Sequence, residues 1–82
     1  MPKPSRPRVD PFLRALGVAL VAARERAGLT QETLGYEAGL DRTYVSGVER
    51  GVRNSTIYSL RRLAEALRVP LSTVIADAER RV

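Results

Sequence analysis

The sequence predicts an all-α fold, a bundle of five short helices, and three observations carry that expectation. Apolar residues recur at helical spacing in the longer segments. Candidate helices open on residues that cap and close on glycine or before proline. No segment carries the turn chemistry or period of a β-hairpin. Length and composition agree: 82 residues, 44% hydrophobic and 28% charged, suit one domain with a modest core and leave no room for a second, ligand-sensing domain.

The elements follow in order. Lys3, Arg6 and Arg8 share the first nine residues with Pro2, Pro4 and Pro7, so residues 1–9 read as a flexible basic arm and residues 10–82 as the folded domain. Asp10 and Pro11 open the first helix as N-cap and first helical residue. Phe12, Leu13, Leu16, Leu20 and Ala23 form its stripe, and Gly28 ends it. Thr30 caps a second helix from about Gln31 to Ala38, stopped by Gly39. Asp41 caps a third from Arg42 to about Arg50, ended by Gly51. Ser55 or Thr56 caps a fourth with the stripe Ile57, Leu60, Leu63, Ala64 and Leu67. Pro70 breaks the chain, and Leu71, Val74, Ile75 and Ala78 mark a fifth.

Composition removes several function classes. The chain has no Cys and no His, so disulfides, thiol chemistry and the common zinc sites are not expected, nor is any metal or cofactor. Nine carboxylates, and Ser and Tyr residues without a His or Cys partner, make a poor enzyme. One Phe, three Tyr and no Trp give no aromatic platform for single-stranded RNA. No apolar run reaches the length of a membrane span and no secretory cleavage pattern is present, so the cytoplasm is the expected compartment. The net charge of +5 suits a polyanion or an anionic surface, or a basic surface that is merely solvated; charge alone does not decide.

The informative run is QETLGYEAGLDRTYVSGVER, Gln31 to Arg50. Gly35 and Ala38 are small where two helices must approach closely, and Gly39 permits a left-handed turn. Leu34, Leu40, Val45 and Val48 then lock both helices into the core. The pattern is that of a helix-turn-helix, against the alternative of a plain αα-hairpin. The positions left facing outward are Arg42, Thr43, Tyr44, Ser46, Gly47 and Arg50. A helix with such a surface fits deep in a major groove, where Arg bonds guanine O6 and N7 and Ser and Thr reach base edges or a thymine methyl.

The run LGVALVAARERAGLTQETLGYEAGLDRTYVSGVERGVRN, Leu16 to Asn54, resembles the phage repressor/Cro family, the lambda repressor-like DNA-binding domains. Within that family LDRTYVSGVERGVRN is most similar to the controller proteins of restriction–modification systems. Three positions depart from the family's pattern: Gly35 where Ala is usual, Ala23 where Leu is frequent, and Ser55 where Pro often stands before the fourth helix. The resemblance implies that Arg42, Thr43 and Ser46 read bases and that Tyr44 reaches the backbone or a central base step, or else is a packing residue. It implies that Gln31 bonds a phosphate, with helix capping as the plainer role, and that Arg53 and Asn54 clamp phosphates from the following loop, unless that loop is simply solvated. Arg50 faces phosphate or favours its helix C-terminus. It also implies that Arg24 pairs with Glu49 to fix the angle of the reading helix.

One short helix reads too few base pairs for selectivity in a genome, so a homodimer on a pseudo-palindromic operator is expected, with the two reading helices roughly 34 Å apart. Leu71, Val74 and Ile75, together with Tyr58, are the candidate interface, or else core. The arm is expected to follow the backbone or enter a minor groove, or to be a solubilising tail. The function expected is a sequence-specific, nucleoid-associated transcriptional regulator controlled by its own concentration, with no small-molecule effector; the controller resemblance implies that it regulates its own promoter and times a neighbouring endonuclease gene. Competing readings are a phage-type repressor, an antitoxin controlling its own operon, or a protein-interaction module that has lost DNA binding.

Overall fold

Four of the five helices start where a short polar side chain bonds the orphaned amides of the first turn. Asp10 accepts from the N–H groups of Phe12 (2.7 Å) and Leu13 (3.3 Å) and opens α1, Pro11–Arg26. Thr30 accepts from Thr33 at 3.0 Å and opens α2, Gln31–Ala38. Asp41 accepts from Thr43 at 2.7 Å and opens α3, Arg42–Glu49. Of the two candidates before α4, Ile57–Ala66, Thr56 is the cap, bonding Ser59 N–H at 3.1 Å. α5, Leu71–Arg80, follows Pro70 with no side-chain cap. This computed structural model describes residues 9–82, and among them no strand occurs. Except for Val9, the arm expected over residues 1–9 lies outside the described residues.

The first four helices also end alike. In each, one residue turns left-handed and the next N–H bonds back five residues: Leu29 to Arg24, Leu40 to Gly35, Val52 to Gly47 and Val69 to Ala64. The left-handed residues are Gly28, Gly39, Gly51 and Arg68. Arg68, at φ 60°, carries a Cβ where the first three have none, a conformation that costs about 1–2 kcal/mol.

The five helices pack in a closed ring, each against two others. α3 and α5 pack on α1, α2 packs on α3 and α4, and α4 closes against α5. Leu20, Leu34, Val45, Val48 and Leu63 are the largest fully buried side chains, each contributing about 1.5–3 kcal/mol. Because Val45 and Val48 face this core, the opposite side of α3 is held at the surface.

Three positions differ from the sequence reading. Ile57, placed on the inner stripe of α4, is 67% exposed; it is the first residue of α4, where the helix has not yet reached the core. Val74, offered as interface, is 3% exposed and belongs to the monomer core, whereas Leu71 and Ile75 beside it are only partly buried. Gly47, taken as an outward position, is buried because the Arg53 side chain lies over it.

Candidate nucleic-acid interface

The outer surface of α3 is set by the helical period. With Val45, Val48 and Glu49 turned inward, Arg42 and Thr43 are exposed and Ser46 is half-buried at the rim. Arg50, the C-cap residue, is exposed and places Nε 3.3 Å from Ser46 Oγ, so these two form one polar edge. The Asp41 carboxyl is held below the usual carboxylate range, the Thr43 hydroxyl contributing most and the Thr43 N–H next. A depressed folded-state value means that the stabilisation is present above the ordinary pKa near 3.8 and is lost as pH falls through the lower, folded-state value. Asn caps about as well as Asp and does not titrate. Asp41→Asn is therefore expected to lose less stability than the parent between pH 5 and pH 3. Thermal melts at both pH values check this, and a gap between the two proteins that does not change with pH refutes it.

Arg24 and Glu49, expected to pair, meet through two bonds: Arg24 Nε to Glu49 Oε2 at 2.7 Å and Nη2 to Oε1 at 3.1 Å. The Glu49 side chain is 3% exposed and that of Arg24 16%. Arg24 Nη1 also donates to the Leu29 carbonyl at 2.9 Å, which ties the pair to the loop before α2. The bond to Glu49 holds the Arg24 guanidinium above its ordinary value against the opposing effect of burial.

Gln31 completes this network. Its Nε2 donates to Glu49 Oε1 at 2.8 Å, which engages one N–H of its carboxamide; the side-chain cap of α2 is Thr30. Gln31 and Arg42 line one shallow depression with Thr30, Glu32, Leu29 and Arg24. The positive end of α2 opens there.

The loop after α3 lays Arg53 against Tyr44 and Gly47 of α3, and both Arg53 and the next residue, Asn54, are exposed. Tyr44 does not stand free on the reading face. Its hydroxyl lies 2.7 Å from Ser55 Oγ, and the Arg53 guanidinium carbon sits 4.9 Å from its ring centroid. A half-buried phenol needs a partner for its hydroxyl, and the loop supplies it.

Tyr58, on α4, is 65% exposed and lies under Arg62 at 5.7 Å. With Ile57 it leaves two large apolar side chains near the start of α4. No described helix is long and apolar enough to cross a membrane, and no cluster of potential metal ligands occurs among the described residues.

The residue that sequence reasoning passed over is Gly17. It is buried in α1 against the last turn of α3, where a methyl group would fall 2.7 Å from the Glu49 carbonyl carbon and 2.8 Å from the Val48 oxygen. A lone glycine inside an apolar helical run is the one signal that marks it.

A family profile described as "Helix-turn-helix" matches residues 20–74, and the chain belongs to that family. It is 35% identical over 57 residues to the control protein C.MunI of Mycoplasma sp, covering 70% of this chain and 77% of that protein. The crystal structure of the restriction–modification controller protein C.AhdI from Aeromonas hydrophila superimposes with a TM-score of 0.75 at 44% identity, covering 76% of this chain and 94% of that one. The clp gene regulator ClgR from Corynebacterium glutamicum gives 0.82 at 26% identity, over 96% of this chain and 97% of that one. The chain is thus a helix-turn-helix transcriptional regulator, not an enzyme, and it resembles restriction–modification controller proteins.

Proposed function

We propose that this protein binds a pseudo-palindromic duplex operator as a homodimer and regulates its own promoter together with a neighbouring restriction–modification operon. The observation that carries the reading is the surface of α3: Arg42, Thr43 and Ser46 on the side opposite the buried Val45 and Val48, flanked by Arg50, Arg53 and Asn54. In this reading Arg42, Thr43 and Ser46 contact base edges. Arg50, Arg53, Asn54 and the Gln31 end of α2 contact phosphates and fix the register. The higher identity to C.AhdI than to ClgR supports the controller assignment over another regulated operon.

The exposed Ile57 and Tyr58, with the partly buried Leu71 and Ile75, supply the apolar area for the dimer. Val74 has no surface to give. The dimer doubles the sequence read by a single helix, so its formation sets the concentration at which the operator fills. The protein acts in the cytoplasm, at the nucleoid, without a small-molecule effector.

Footprinting on the DNA upstream of the protein's own gene tests the reading, with a two-fold symmetric protected region expected. Arg42→Ala is expected to weaken specific binding by about 5- to 150-fold with little effect on non-specific binding. Arg53→Ala weakens both and lowers the slope of log affinity against log salt by about 0.9. Absence of protection on that DNA, or equal loss on all sequences for Arg42→Ala, overturns it.

A further inference from the structure

The geometry points to Tyr44 as a positioning residue: a latch, closed on Ser55, that holds the loop 52–55 in the shape from which Arg53 meets a phosphate. The inference rests on the DNA-binding reading above and assigns Tyr44 a part other than base contact. Three contacts converge on the loop. The Tyr44 hydroxyl lies 2.7 Å from Ser55 Oγ, a hydrogen bond in which either hydroxyl can donate, and Ser55 Oγ also lies 3.4 Å from the Thr56 carbonyl. The Tyr44 ring takes the Arg53 guanidinium at 4.9 Å. Gly47, one turn further along α3, leaves room for the Arg53 stem: a Cβ there would lie 3.4 Å from Arg53 Nε and 3.5 Å from Arg53 Cβ.

A cation–π contact with a ring takes no N–H donor from the guanidinium, and Arg53 stays exposed. The seat therefore positions the charge without consuming its donors. A loop without regular structure loses conformational freedom when it is fixed against a ligand, and a loop held beforehand loses less. Ser55 stands where the family resembled often has Pro, and a proline there has no hydroxyl with which to close the latch.

Duplex binding by the parent protein is compared with Tyr44→Phe, Ser55→Ala, their double variant, Arg53→Ala and Arg53→Ala with Tyr44→Phe, each checked for folding by its melting temperature. Tyr44→Phe keeps the ring and removes only the bond. It and Ser55→Ala are each expected to weaken binding by about three- to ten-fold, and the double variant no further. Their salt slopes move toward that of Arg53→Ala. In the Arg53→Ala background Tyr44→Phe is expected to change nothing; an equal loss there means that Tyr44 touches DNA itself and overturns the latch.

A second measurement needs no DNA. Ring-current shifts of the Arg53 δ-protons in the free protein should shrink in Ser55→Ala and in Ser55→Pro, and unchanged shifts overturn the latch. Failure of the parent protein to bind any duplex overturns the DNA-binding reading instead, and the proton shifts still decide whether the loop is latched.

Discussion

Glu49→Ala is expected to lower the melting temperature by on the order of 10–20 °C and to weaken duplex binding beyond what the lost stability explains. The carboxylate is nearly inaccessible and accepts three hydrogen bonds, two from Arg24 and one from Gln31. Removing it leaves the Arg24 guanidinium with the Leu29 carbonyl alone. Breaking one side of a buried pair costs about 3–5 kcal/mol, and the partial exposure of Arg24 places this case near 3. For a domain of this size each kcal/mol shifts the midpoint by about 4–8 °C.

Apolar replacement of a whole buried pair is often neutral for stability. Arg24→Met combined with Glu49→Leu therefore separates two roles. If the pair sets the angle of α3, the double variant regains its melting temperature without regaining affinity. Full recovery of both would reduce the pair to packing, and an unchanged melting temperature in Glu49→Ala would refute the account of the network.

Those features that depend on neighbours in sequence were legible without coordinates. Asp10, Thr30 and Asp41 cap because an oxygen at the N-cap reaches amides two or three residues on, which is a local matter. Gly28, Gly39 and Gly51 end helices because a left-handed residue there closes the last turn. Spacing alone likewise turned Val45 and Val48 inward.

Features that depend on distant partners were not legible. Val74 and Ile75 are adjacent on one helix, and only the placement of α1 and α4 decides which of them the core covers. Arg68 adopts the left-handed conformation with no glycine to announce it. The Gln31 bond to Glu49 spans 18 residues and the Tyr44 bond to Ser55 spans 11. These cross between elements, so helical periodicity carries no trace of them. The Arg24–Glu49 pair spans 25 residues and was legible only through family resemblance.

Gly17→Ala, the other large effect, is expected to have the sign opposite to the one helix propensity gives. Alanine is favoured over glycine in a helix interior by about 1 kcal/mol, so a local argument predicts stabilisation. The atoms that a Cβ would meet at Gly17 are backbone atoms of Val48 and Glu49, and backbone cannot step aside by changing rotamer. α1 and α3 must separate, and overpacking of this kind costs about 1–3 kcal/mol, occasionally more. Set against the propensity gain, the net expectation is a loss of up to about 2 kcal/mol, or at most on the order of 10 °C.

The position matters beyond stability because Gly17 and Arg24 lie seven residues, two turns, apart on one face of α1. One admits the backbone of Glu49 and the other binds its side chain. The last turn of α3 is thus held twice by the same helix, and Gly51 just beyond it rests on the backbone of Arg14, one turn earlier along α1. Displacing this seat tilts the reading surface while leaving Arg42, Thr43 and Ser46 chemically intact. Gly17→Ala should therefore lose specific affinity at temperatures where it remains fully folded, measurable by duplex titration well below its melting point. A variant as stable as the parent, or folded and binding normally, would show that α1 and α3 can separate at no cost to the reader.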